Sequence, residues 1–297
     1  MTRKLAGSLL YLILICTAWL VVVFPAGISG SLLGQVAGDN LDLVGNTVSR
    51  LAALVTVLLV THLFVRRTLN MGLGELGLAL TNRTGLLLGT GTVIGAVGLT
   101  AVFLLCLSLG HLVVLGFCWH HVPPVEFLAA IYRGVLVCIV VAVTEEVIFR
   151  GYFLQSLSRT FSFPLAVVLT SLLFALLHFG GPAASSVQPM LLFGGLFSAG
   201  LILAAAYYIS QSLWLPIGIH FAWNLTEKIL GITGQTGETA VLLVTRVDGP
   251  TWLVGSAYGT EGAVFGYLGM GLMAVLLYLL RHKLKAPPLR ARISSVR

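Results

Sequence analysis

The sequence predicts an all-α polytopic membrane protein of about eight transmembrane helices, and three observations carry that prediction. Of its 297 residues 58% are hydrophobic and only 9% are charged, with a mean hydropathy of +1.01; a soluble domain carries about 25% charge. The apolar residues are gathered into runs, most of them near the roughly 20 residues that cross a bilayer as a helix. The basic residues fall between those runs and mostly on one side of them, which accounts for the net charge of +7 without nucleic acid.

The runs place spans near 8–25, 49–65, 86–109, 130–153, 164–180, 190–209, 213–230 and 262–281. The first follows Arg3 and Lys4 and precedes Pro25-Ala26-Gly27, as in a signal peptide. It exceeds the usual apolar region of about 7–15 residues and further spans follow, so an uncleaved span is expected. An even number of spans puts both termini on one side. With the termini in the cytoplasm, thirteen of the 17 Lys and Arg lie inside, and only Arg50, Arg133, Lys228 and Arg246 lie outside.

The connections read accordingly. The 26–48 loop, with Asp39 and Asp42, falls outside. The stretch from Asn70 to Leu78 falls inside as an amphipathic surface segment, and Asn82-Arg83-Thr84 is a glycosylation sequon on the wrong side for use. Trp119-His120-His121, before Pro123-Pro124, reads as an interfacial anchor. Thr160 to Pro164 turns the fourth span into the fifth. The 34 glycines, Gly194, Gly195 and Gly200 among them, fit close helix contact. The 231–261 connection, with Glu238, Asp248 and Glu261, caps the outer side, and the basic tail from Arg281 to Arg297 anchors to anionic lipid. Cys16, Cys106, Cys118 and Cys138 lack metal-binding or disulfide spacing. Residues 1–297 form a single integral membrane domain with no soluble addition.

Thr144 to Arg150 breaks the apolar pattern. Glu145, Glu146 and Arg150 sit in a run otherwise apolar from Gly134 to Phe153. Each such charge costs roughly 2.5–3.5 kcal/mol on insertion scales, so the default reading is a functional site. Two further polar groups lie in apolar runs, Phe174 with His178 and His220 with Asn224. Glu146 and Arg150 are four apart, as are His220 and Asn224, so each pair shares a helix face. Glu145 points about 100° away from Glu146 and can do a different job. Glu145 and His178 lie about equally far from the 160–163 turn, roughly 24 Å along their helices. His220, seven residues past Leu213, joins them roughly 10 Å below the inner surface. A carboxylate beside a histidine can take a proton from water. A His-Asn pair can donate to an oxyanion, and an arginine can keep the second carboxylate ionised. No Ser or Cys stands out as a nucleophile; Ser171 reads as a helix hydroxyl. The set suits water attack on an amide or ester carbonyl. A proton-coupled transporter is the competing class, but its polar residues would line a path, whereas these cluster.

At these residues the chain resembles the CAAX protease and bacteriocin-processing family of intramembrane proteases, also called the Abi family. Its pattern, EExxxR, then FxxxH, then HxxxN or HxxxD, is matched in order by Glu145-Glu146 with Arg150, Phe174 with His178, and His220 with Asn224. Gly151, and the late-loop stretch Gly255 to Gly262, also fit. The resemblance covers residues 130–230, the expected catalytic core, and implies an eight-helix intramembrane protease fold. It implies Glu145 as general base, His178 as the residue that positions or activates water, and His220 and Asn224 as oxyanion donors. Glu146 and Arg150 would hold the site's shape, with Phe174 beside them. No cofactor is expected; the alternative is zinc on Glu146, His178 and His220, and a third reading is a non-catalytic scaffold. The expected partners are a peptide or lipidated-protein substrate and membrane lipid, in a bacterial plasma membrane. The physiological substrate and oligomeric state are not legible.

Overall fold

A computed structural model describes residues 10–11, 39–178, 188–232, 242–256 and 259–286. Apart from Leu10 and Tyr11, the first expected span lies outside them, as do Cys16, Glu238 and the tail from residue 287. The described helices are α1 (Asp39–Thr68), α2 (Thr84–Ser108), α3 (Pro124–Glu146), α4 (Leu154–Ser158), α5 (Phe163–Leu177), α6 (Pro189–Ser210), α7 (Trp214–Leu230), the short α8 (Thr251–Val254) and α9 (Val264–Leu284). A π-helical turn, Val147–Phe153, joins α3 to α4, so the two run as one rod. Among the described residues, five helices are long and apolar enough to cross a membrane: Leu43–Thr68, Thr84–Ser108, Pro124–Ser158, Pro189–Ser210 and Val264–Leu284. The protein is an integral membrane protein. α5 is a shorter apolar helix of 15 residues and α7 has 17.

Two features refine the expected helical fold. The helix that carries the second span starts at Asp39, and its apolar part at Leu43, rather than near 49, so Asp39 and Asp42 lie in helix rather than loop. The fold also contains two strands, β1 (Leu112–Phe117) and β2 (Leu243–Val247), paired antiparallel as a ribbon. β1 reads Leu-Val-Val-Leu-Gly-Phe, a β-branched and aromatic run too short for a span. Trp119 follows it, stacked on Phe117 at 4.3 Å and 42% exposed.

Small residues let the helices close around the site. α2 packs extensively on α7. A side chain on Gly91 or Gly95 would overlap the Leu215 or Ile219 carbonyl of α7, and one on Gly218 would overlap the Leu88 carbonyl of α2. Gly200 of α6 meets Ser171 of α5 in the same way. Met273 of α9 fills the space beside Gly98 of α2.

The segment from Leu69 to Asn82 is a folded strap rather than a surface stretch. Leu76 is fully buried. Gln155 donates to the Leu76 carbonyl (2.8 Å), Arg159 to that of Leu69 (2.9 Å), and the Leu213 amide to that of Gly77 (2.9 Å). Trp214 Nε1 donates to the Ala79 carbonyl (3.1 Å). Gly77 has φ of 122°, the left-handed geometry that glycine adopts without strain, and this turns the strap beneath Leu213. The strap thus ties the end of the α3–α4 rod to the start of α7.

Candidate active site

Glu145 and Glu146 are the last residues of α3, directly before the π turn. Such turns widen the helix by one residue and often occur where side chains are re-aimed for function. Glu146 and Arg150 are 0% and 2% exposed. Arg150 Nη1 donates to Glu146 Oε1 at 2.9 Å, and Nη2 donates to the Gly200 carbonyl at 3.1 Å. The guanidinium lies over the Phe174 ring, 4.9 Å from its centroid. Glu146 Oε1 also meets His220 Nδ1 at 2.9 Å. Burial is offset by the ion pair and by the contacts of Glu146 Oε1 with His220 and of Arg150 with the Gly200 carbonyl, while Glu146 Oε2 is buried without a hydrogen-bond partner among the described residues.

Glu145 faces the other way, toward both histidines. Its Oε1 lies 3.5 Å from His178 Nε2 and its Oε2 lies 3.8 Å from His220 Nε2. Oε2 is buried without a hydrogen-bond partner among the described residues. His178, at the C-cap of α5, turns Nδ1 to the Phe174 carbonyl at 2.7 Å. A carbonyl only accepts, so that contact puts a proton on Nδ1, and Nε2 is the ring atom that faces Glu145. Phe174 holds the ring from beneath, with centroids 4.4 Å apart, and packs edge-on against Phe149 at 5.0 Å.

The structure therefore brings together Glu145, Glu146, Arg150, Phe174, His178 and His220 from three helices. Asn224, one turn beyond His220, lines the same cavity, about 360 Å³ in volume, as do Glu145, His178 and His220. Ser171 packs on Gly200 and is not among the cavity residues. Among the described residues, no three or more His, Cys, Asp or Glu are grouped to hold a metal ion. Glu146, His178 and His220, the alternative zinc set, do not converge: Glu146 is hydrogen-bonded to the Nδ1 side of His220, while His178 turns to Glu145. Cys106, Cys118 and Cys138 are buried.

Three cavity residues escaped the sequence reading. Trp223 Nε1 donates to Glu261 Oε1 at 2.9 Å. Glu227 accepts from the Thr260 amide (2.8 Å) and hydroxyl (3.0 Å). Glu227 was findable, because it lies three residues past Asn224 and seven past His220, on the same helix face. Glu261 stood out only as part of the late loop; its approach to α7 is a tertiary fact.

Residues 127–226 match the sequence model of the Rce1-like family, described as type II CAAX prenyl endopeptidase Rce1-like. The chain carries an Rce1-like domain. All the motif residues, from Glu145 to Asn224, lie within the match. The Rce1-like domain makes the protein a peptide-bond hydrolase, a CAAX-type endopeptidase embedded in the membrane. No curated protein and no solved structure matches the chain.

Proposed function

We propose that the chain is an intramembrane endopeptidase in which Glu145 activates water for attack on a peptide carbonyl. One observation carries this reading: the Nε2 atoms of His178 and His220 approach separate oxygens of Glu145 in a cavity that Asn224 also lines. A water seated against Glu145 and His178 gives a proton to the carboxylate as its oxygen attacks the carbonyl. In its doubly protonated form His220 donates through Nδ1 to Glu146 and through Nε2 to the oxyanion, with the Asn224 amide as second donor. As the C–N bond breaks, protonated Glu145 returns its proton to the leaving amine.

Glu146 and Arg150 act by position. They fix His220 Nδ1 and tie α3 to α6 through the Gly200 carbonyl. The single membrane domain 1–297 with a catalytic core at 130–230 belongs to this proposal, as does a lipidated or leader-type peptide substrate.

The test is cleavage of a quenched fluorescent peptide library by purified protein in detergent, with native, Glu145→Gln and His178→Ala forms, each with and without a strong zinc chelator. Activity lost in both variants and kept with chelator is the expected result. Native activity abolished by chelator and restored by zinc would overturn the carboxylate-and-histidine scheme.

A further inference from the structure

Glu227 and Glu261 take no part in the chemistry above, yet they line the same cavity as Glu145, His178 and His220. Glu227 is on α7, seven residues past His220, and is 8% exposed. Glu261 comes from the loop before α9, and that loop is held tightly. A side chain on Gly195 of α6 would overlap the Glu261 carbonyl, and one on Gly266 of α9 would overlap the Thr260 carbonyl. Thr260 in turn donates to Glu227 through its amide and its hydroxyl. One short segment is thus fixed against α6, α7 and α9.

The two carboxylates face one another across Gly259. Its φ of 138° is a geometry that glycine adopts without strain. A side chain there would overlap Glu261 Oε2 and come to 3.2 Å from both Glu227 oxygens.

Their partners distinguish this pair from Glu146, which is met by the Arg150 guanidinium. Among the described residues, Glu227 and Glu261 accept only from uncharged donors, the Thr260 amide and hydroxyl and the Trp223 indole, and neither is in an ion pair. Glu261 Oε2 is buried without a hydrogen-bond partner among the described residues. Lys228 also lines the cavity, but it supplies one positive charge against two negative ones. A carboxylate out of water needs a counter-charge, and a second carboxylate nearby increases that need. The rest of the lining is largely apolar, with Val137, Val141, Leu196, Ile202, Met270 and Met273.

Resting on the endopeptidase reading, we propose that Glu227 and Glu261 form a subsite for a lysine or arginine side chain of the substrate peptide. The substrate is then an apolar segment carrying a basic residue close to the bond that is cut. Glu227 lies two turns beyond His220, about 10 Å along α7. An extended peptide advances roughly 3.3–3.6 Å per residue, so the basic residue falls within about three positions of the scissile bond.

The experiment walks a single lysine along an otherwise uncharged apolar quenched peptide with acetylated and amidated ends, and repeats the set with norleucine, which keeps the stem and lacks the ammonium. Purified full-length protein is used in detergent, in native form and as the double variant Glu227→Gln with Glu261→Gln. The ratio of kcat/KM for each lysine peptide to its norleucine partner is the readout. The expected native ratio at the best position is at least about 30, falling toward one in the double variant. A native ratio near one at every position would show that the pair holds a shared proton rather than a cation, and would overturn the proposal. A ratio that persists in the double variant while both peptides are cut more slowly would make the two glutamates structural, and would overturn it as well. Binding of the same peptides to Glu145→Gln protein, with and without the two substitutions, is followed by fluorescence anisotropy. Absence of cleavage by native protein counts against the endopeptidase reading, and the binding ratio then decides the subsite by itself.

Discussion

Glu146→Gln isolates the buried pair at the centre of the site. Glu146 Oε1 serves both Arg150 and His220, each at 2.9 Å, and neither Glu146 nor Arg150 reaches solvent. The substitution keeps the shape but removes the negative charge, leaving the guanidinium with the Gly200 carbonyl and the Phe174 face. Breaking a buried pair from one side costs about 3–5 kcal/mol. Glutamine retains an acceptor, so a loss near 3 kcal/mol is expected. The double variant Glu146→Gln with Arg150→Met has no orphaned charge and should recover most of that loss, to within about 1–2 kcal/mol of native. Stability would be read from reversible unfolding in mixed micelles, and with the Arg150→Met single variant the four proteins form a double-mutant cycle. Both variants should still lose cleavage, because His220 loses its fixed Nδ1 partner. A Glu146→Gln protein as stable as native, or a double variant no better than the single, would refute the account of the pair.

Three further outcomes follow from the geometry. Glu145→Gln should lower kcat by about 10²–10⁴-fold with little change in unfolding, since its contacts to His178 and His220 are long, at 3.5 and 3.8 Å, and glutamine keeps the shape; unaltered turnover would remove it from the chemistry. Asn224→Ala should lower kcat by about 10²–10³-fold with little change in KM, and a pure KM effect would make Asn224 a binding group. Gly91→Val should destabilise by about 1–3 kcal/mol and reduce cleavage, because the new side chain would push α2 off the Leu215 carbonyl; native-like stability in the same micelle assay would show that the α2–α7 contact is looser than described.

The spans were legible because a bilayer leaves a helix few alternatives: its backbone polar groups must be paired within the segment. The boundaries of α2, α6 and α7 therefore lie within a few residues of the apolar runs. The catalytic candidates were legible for the converse reason, since a charge in an apolar run is costly and conspicuous. The ribbon was not, because Leu112–Phe117 is too short for periodicity to separate strand from helix edge. Nor was the strap, whose polar look concealed Leu76 tucked against Gly151. Its hydrogen bonds join residues 69–79 to residues 155–214, a pairing that local pattern does not encode.

The sequence by itself determined that this is a membrane protein, which residues are the candidates for its chemistry, and which of them share a helix face, because burial cost and helical period act locally. Tertiary structure decided which oxygen faces which histidine. Helix spacing leaves Glu145 and Glu146 interchangeable as partners of His220; the rotation of α7 against α2, set by glycines too small to hold the helices apart, gives Nδ1 to Glu146 and turns Nε2 toward Glu145. It also decided that Glu227 and Glu261 stand on the cavity wall and that the strap is bonded to Gln155, because those contacts form only when distant segments pack.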